Sequence, residues 1–186
     1  MLFRSAATAV RACELALAAV GEELPERAVR EGLATVRWSG RFEVISRHPL
    51  TILDGLHTPL AAKRFREAVR ELTLPHPRIL VAGLLAGKDA EAIAAELFAP
   101  RAEVADQVIV APPTSPRALD AEATRQAFVA VGASVQRAAS VAEALESARA
   151  QAGDRGTVLV AGSIYTVAEA REELLGIVGD RSFGLR

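Results

Sequence analysis

Residues 78–98 read RILVAGLLAGKDAEAIAAELF. The opening RILVA is a short apolar run without alternation, the pattern of a strand covered on both faces. GLLAG then breaks the run with two glycines. Asp89 follows as a helix cap, and AEAIAAELF carries apolar residues at helical spacing. A strand buried on both faces and passing directly into a helix is the unit of a parallel sheet, because parallel neighbours need crossover helices on the sheet faces.

The same unit repeats downstream. DQVIVA (106–111) predicts a strand, APPTSPRAL (111–119) a proline-rich loop, and Asp120 caps a helix to about Val131. ASVQRA (133–138) is the next strand, followed by a helix capped by Ser140. GTVLVAG (156–162) is another buried strand, and Ser163 opens the helix IYTVAEAREELLG. Upstream, RFEVIS (41–46) and LTILDG (50–55) are joined by a turn at His48-Pro49, too short for a crossover, so one antiparallel edge strand is expected. Thr58 and Pro59 start a helix to Leu72. The predicted fold is α/β: a Rossmann-like, open, mostly parallel sheet of about six strands with helices on both faces. Before it, residues 6–20 form a helix stopped by Gly21, and residues 25–35 a second helix with Pro25 at its first position. This helical hairpin occupies residues 1–38 and the sheet domain residues 39–186.

Bulk properties narrow the function classes. The chain has 186 residues and a formal net charge of -1, so no global field draws it to nucleic acid or acidic membranes. One Trp, one Tyr and six Phe offer little base stacking. Arg11 and Glu14 interrupt the N-terminal apolar stretch, and no run of about 18 uncharged apolar residues occurs. The single cysteine, Cys13, has no partner for a disulfide or a metal and fits a reducing, cytoplasmic setting.

Ligands of open α/β sheets gather at the carboxyl ends of the strands. In LDGLHTP (53–59), Asp54 and His57 stand three residues apart, between a buried strand and a helix N-terminus. An anion there would meet free N–H groups and a chargeable imidazole; equally, both side chains could serve only to satisfy backbone groups. In GSIYTV (162–167), Gly162 and Ser163 hold a like position, although a serine cap and a glycine turn are common structural devices. Arg41, in SGRFE, is a fork-shaped cation at the junction of the two segments. GLLAGKD is not a phosphate-cradling P-loop, because its glycines are too close and Asp89 stands where Ser or Thr is needed. The roles of Lys88 and Arg117 stay open. No paired-cysteine, HExxH or nucleophile-elbow pattern occurs, and no metal ligand is assigned.

Taken together and in order, SAATA (5–9), WSGRFE (38–43), LDGLHTP (53–59), GLLAGKD (83–89), SPRA (115–118) and GSIYTV (162–167) resemble the folylpolyglutamate synthase/dihydrofolate synthase family, relatives of the muramyl ligases. The resemblance implies an ATP- and magnesium-dependent ligase. Such enzymes phosphorylate a carboxylate of dihydropteroate or a folate, and the amino group of L-glutamate then displaces the phosphate. It implies that Arg41 contacts ATP phosphates, that Asp54 binds the nucleotide, and that His57 and Ser163 line the reacting side of the cleft as catalytic residues. It further implies small-molecule substrates only, a cytoplasmic enzyme that is monomeric at full length, and residues 1–38 as the last helices of a truncated central ATPase domain. That domain carries the P-loop and the magnesium ligands, so the isolated chain is expected to be inactive. Ser5 replaces the family's Asn, and Thr58 the Asn of H-N-P. The alternatives are a muramyl-type peptide ligase fragment and a non-catalytic nucleotide-binding α/β module.

Overall fold

In the computed structural model, residues 2–98 and 104–177 are described. The chain divides into two compact units, Met1–Ser39 and Gly40–Arg186. The first holds α1 (Leu2–Ala18) and α2 (Glu26–Thr35). Pro25 is the N-cap of α2 rather than its first helical residue, and α2 buries none of its side chains. Helices this short draw most of their stability from packing an apolar stripe.

The second unit is a six-stranded sheet in the order β1-β2-β6-β3-β4-β5. Its strands are β1 (Glu43–Arg47), β2 (Leu50–Asp54), β3 (Arg78–Ala82), β4 (Gln107–Val110), β5 (Val135–Arg137) and β6 (Thr157–Ala161). The helices are α3 (Pro59–Glu71), α4 (Ala90–Leu97), α5 (Ala121–Ala130), α6 (Val141–Ala152) and α7 (Ile164–Leu175). Only β1 and β2 pair antiparallel; every other pairing is parallel, as the closely spaced first two strands imply.

Alternation along the strands divides the core between two faces. Ile52, Leu80, Ala82, Val108, Leu159 and Ala161 pack with Phe65 of α3, Ile93 and Leu97 of α4 and Phe128 of α5. Leu53, Ile79, Val81, Ile109, Val158 and Val160 pack with Leu145 and Ala148 of α6 and Val167 and Ala170 of α7. Thus α3, α4 and α5 cover one face and α6 and α7 the other.

That division locates the crevice. β6 lies between β2 and β3. The chain leaves β2 and β3 toward one face and leaves β6 toward the other, so diverging connections flank the carboxyl end of β6 on both sides. Such a switch point is where open α/β sheets hold their ligands.

Candidate functional site at the carboxyl edge of β2 and β6

Asp54 ends β2, and its Oδ2 accepts the Phe42 N–H at 2.9 Å. Burial, the largest influence, pushes its carboxyl above the ordinary aspartate value of 3.8; the N–H groups of Phe42 and Leu56 and the charges of Arg41 and His57 oppose this without overcoming it. The next residue, Gly55, donates its N–H to the Gly40 carbonyl at 2.8 Å. The same carbonyl accepts Nη1 of Arg41 at 3.0 Å. A Cβ at Gly55 would stand 2.5 Å from Arg41 Nη1, so glycine is what lets the guanidinium lie over this turn.

His57 is half-buried, and its Nδ1 lies 3.0 Å from the Gly55 carbonyl. A carbonyl can only accept, so Nδ1 carries the proton and Nε2 is left to meet a ligand. Thr58 caps α3 by accepting the Ala61 N–H at 3.2 Å, with Pro59 in the first turn. Arg41, Asp54 and His57, distant in type and partly in sequence, therefore converge on one glycine turn.

Ser163 has a different situation. It is fully buried, and its Oγ accepts the Thr166 N–H at 3.0 Å and pairs with Thr166 Oγ1 at 2.8 Å. Thr166 Oγ1 in turn donates to the Gly83 carbonyl at 2.9 Å, tying the first turn of α7 to the end of β3. Space at this crossing is minimal. A Cβ on Gly83 would run into Thr166 Oγ1 and come within 2.7 Å of the Ala111 carbonyl, and one on Gly162 (φ +114) would stand 2.6 Å from the Gly83 carbonyl. The residue after Ser163 reaches the glycine turn: the Cα of Ile164 lies 3.6 Å from the Cβ position of Gly55. The Ser163 hydroxyl is committed to the helix cap.

The loops after β3 and β4 are joined to each other. Leu85 and Ala118 form an antiparallel bridge, Ala86 N–H donates to the Arg117 carbonyl at 2.8 Å, and Leu119 N–H to the Leu84 carbonyl at 2.9 Å. Thr114 N–H donates to Glu169 of α7 at 2.5 Å. Asp89 caps α4 through the Ala92 N–H at 2.9 Å. Thr166 lies within GSIYTV but, like Glu169, is not marked by its residue type, because a threonine inside a helix and a glutamate on a helix surface carry no local signal. Glu43 was visible within WSGRFE but without a role. It accepts the Gly40 N–H at 2.7 Å and Nε of Arg171 at 3.0 Å.

An open groove runs along α6 on the face it shares with α7, lined by His48, Glu143, Glu146, Arg149, Asp154 and Glu173. None of the expected site residues belongs to it. Among the described residues no three His, Cys, Asp or Glu side chains are grouped to hold a metal, and no helix is long and apolar enough to cross a membrane.

Residues 40–164 match the family model of the Mur ligase, glutamate ligase domain. The chain is 36% identical over 168 residues to the dihydrofolate synthase/folylpolyglutamate synthase of Escherichia coli, covering 90% of this chain and 37% of that protein. It is 39% identical over 161 residues to a probable bifunctional folylpolyglutamate synthase/dihydropteroate synthase of Halobacterium salinarum, covering 84% and 18% respectively. Among solved structures, E. coli FolC in complex with DHPP and ADP superposes with a TM-score of 0.76 at 33% identity, over 87% of this chain and 37% of that one. The Yersinia pestis bifunctional folylpolyglutamate synthase/dihydrofolate synthase complexed with AMPPNP and Mn ion gives a TM-score of 0.72 at 28% identity, over 84% and 36%. The chain thus spans little more than a third of these relatives, and less of the Halobacterium salinarum protein.

Proposed function

The chain belongs to the Mur ligase glutamate ligase domain family, and from that premise we propose that it forms the C-terminal part of an ATP-dependent ligase adding L-glutamate to dihydropteroate or folates. In this reading the γ-phosphoryl group of ATP passes to a substrate carboxylate, leaving ADP. The glutamate amine then attacks the acyl carbon, forms the amide bond and releases phosphate. Residues 39–186 are the C-terminal α/β domain and residues 1–38 the last helices of a central ATPase domain, within a cytoplasmic, monomeric enzyme. Magnesium would assist phosphoryl transfer by neutralising phosphate charge. No residue of this chain is assigned to it.

The observation that carries the reading is the convergence of Arg41, Asp54 and His57 around Gly55, inside the family-matched segment and at the carboxyl edge of the sheet. Phosphoryl transfer needs positioned positive charge more than covalent help, which is what Arg41 offers, while the Nε2 of His57, with the proton held on Nδ1, can accept a proton from the attacking amine. Asp54, close to Arg41 and His57 but bonded to backbone N–H groups, suits a hydroxyl or amine donor of the nucleotide. Ser163 is assigned a positioning role: its buried hydroxyl holds the turn that presents α7 to the reactants.

The test joins this chain in frame to the preceding P-loop segment of a relative and measures glutamate-dependent ADP formation with dihydropteroate and with tetrahydrofolate. The joined protein is expected to turn over, and the isolated chain to form no ADP. Turnover by the isolated chain would overturn the division of labour. Nucleotide binding by the joined protein without any turnover would favour the non-catalytic reading.

A further inference from the structure

A knot of backbone hydrogen bonds surrounds Arg41, and it has a feature that ordinary turn chemistry does not require. Phe42, with φ 47, holds a left-handed conformation that a bulky residue adopts only under constraint, next to Gly40 at φ +67. The constraints are all visible. Phe42 N–H is bound by Asp54, and its ring packs on Phe65 of α3 with centroids 5.5 Å apart. Gly40 N–H is bound by Glu43 at 2.7 Å, while Gly40 itself is pressed against α7, where a Cβ would stand 2.9 Å from Val167 Cγ1. Gly40 C=O, fixed in this way, accepts both the Gly55 N–H and Arg41 Nη1. Glu43 is itself tied to α7 by Arg171, both side chains being largely buried.

We propose that Glu43 and Gly55 are the positioning residues of Arg41: Glu43 aims the Gly40 carbonyl that the guanidinium binds, and Gly55, lacking a Cβ, leaves the space in which it lies. The strained Phe42 is the consequence of turning the chain so that residue 41 faces the carboxyl edge while residues 40 and 42 are held to α7 and β2. The inference deepens the reading of Arg41 as a phosphate-contacting group and rests on it for its functional meaning. The positioning itself stands on the geometry.

Two variants act on the device by different routes. Glu43→Ala removes the acceptor of the Gly40 N–H, and Glu43→Gln restores an acceptor without the charge. Gly55→Ala puts a methyl group where Arg41 Nη1 sits. The other neighbours of that methyl, Gly40 O at 3.5 Å and Ile164 Cα at 3.6 Å, are ordinary contacts, so the displaced group is the free end of a flexible side chain and the fold is retained. In the whole 186-residue chain, relaxation of the Arg41 Nε–Hε group and amide exchange report on position directly. Glu43→Ala is expected to speed exchange at Gly55 about tenfold, the effect of losing one hydrogen bond's support, and to loosen the Arg41 side chain. Glu43→Gln should recover most of this. Gly55→Ala should loosen Arg41 while leaving amide protection in β3 and β6 unchanged. In the joined ligase, Gly55→Ala and Arg41→Ala should each lower the rate, and the double variant should be no worse than Arg41→Ala alone, since both remove one interaction. Wild-type order of Arg41 in both Glu43→Ala and Gly55→Ala would overturn the positioning inference, as would fully additive losses. If instead Arg41→Ala leaves turnover intact while Arg41 is loosened as expected, the device stands and the phosphate role of Arg41 is what fails.

Discussion

Asp54 and Asp106 stand at opposite edges of one sheet and make the same first contact, yet their carboxyls are shifted in opposite directions. Asp54, at the carboxyl edge, accepts the Phe42 N–H at 2.9 Å; Asp106, at the amino edge before β4, accepts the Arg78 N–H at 2.6 Å. Burial is the largest influence on both and raises both. At Asp54 it prevails. At Asp106 the Arg78 N–H, the His76 ring at 2.8 Å and the charges of His76 and Arg78 together outweigh it, and the carboxyl ends below its ordinary value. The difference lies in the partners. At the amino edge the anion is bonded directly to an imidazole. At the carboxyl edge Arg41 and His57 spend their hydrogen bonds on the carbonyls of Gly40 and Gly55, near Asp54 but not bonded to it. The amino edge pairs its charged side chains with one another, whereas at the carboxyl edge Asp54, Arg41 and His57 are each bonded to the backbone.

The strongest way to break this contrast is kinetic. In the joined ligase, Arg41→Ala and His57→Ala are each expected to lower the steady-state rate at least ~100-fold, the usual effect of removing one preorganised charge or donor. Asp54→Ala should do the same, with an added loss of roughly 1–3 kcal/mol in urea denaturation because two backbone N–H groups lose their acceptor. Asp54→Asn keeps an acceptor oxygen and separates the charge from the scaffold. Lys63→Ala, on the exposed side of α3, is the control and should be silent. Near-normal turnover in all three site variants would mean that the carboxyl edge is no more a site than the amino edge.

Much of this architecture was legible in the residues, and the physical reason is periodicity. Runs such as RILVA and TVLVA have no polar face, so they had to lie inside a parallel sheet. Thr58, Asp89, Asp120, Ser140 and Ser163 cap the helices they were expected to cap. The strand order was not legible, since nothing local in GTVLVAG says that β6 enters between β2 and β3. That insertion is what creates the crevice. Arg41, Asp54 and His57 could be named from motif and chemistry, but the hydrogen bonds that hold them come from Gly40, Phe42 and Gly55, and backbone partners leave little trace in side-chain patterns. Of the two readings of LDGLHTP, the structure shows the backbone-supporting one directly, in the Phe42 N–H that Asp54 accepts, with Arg41 and His57 close by.

A smaller effect is expected at the amino edge. His76 and Asp106 are about half exposed, with side-chain accessibilities of 56% and 45%, and pairs of that kind contribute at most about 1 kcal/mol. His76→Ala should therefore lower unfolding free energy by no more than that, and the joined ligase should keep its rate per folded molecule. A fall in rate comparable to that of His57→Ala, without a matching fall in stability, would erase the distinction between the two edges.

The smallest effect is the one that tests the sign of the contrast. A carboxyl lowered by folding contributes stability that is present above its unfolded value and lost as pH falls through the folded value; a raised carboxyl contributes stability present below the unfolded value and lost as pH rises through the folded one. Taking 3.8 as the ordinary aspartate value, Asp106 acts on the acid side of that point and Asp54 on the neutral side. Urea denaturation of the whole chain from pH about 3 to about 8 should accordingly respond in opposite senses to two isosteric variants. Asp106→Asn is expected to flatten the loss of stability on acidification below that value, because the group that had to take up a proton is gone. Asp54→Asn is expected to remove a loss that wild type suffers between weakly acidic and neutral pH, making the variant relatively more stable at neutrality. Glu122 supplies an internal standard: the Arg125 and Arg137 guanidinium groups hold its carboxyl at about 2, so Glu122→Gln should flatten the same acid limb as Asp106→Asn. If Asp54→Asn instead behaves like those two, the Asp54 carboxylate is already stabilised within the folded chain, and it has no unmet charge to offer a nucleotide.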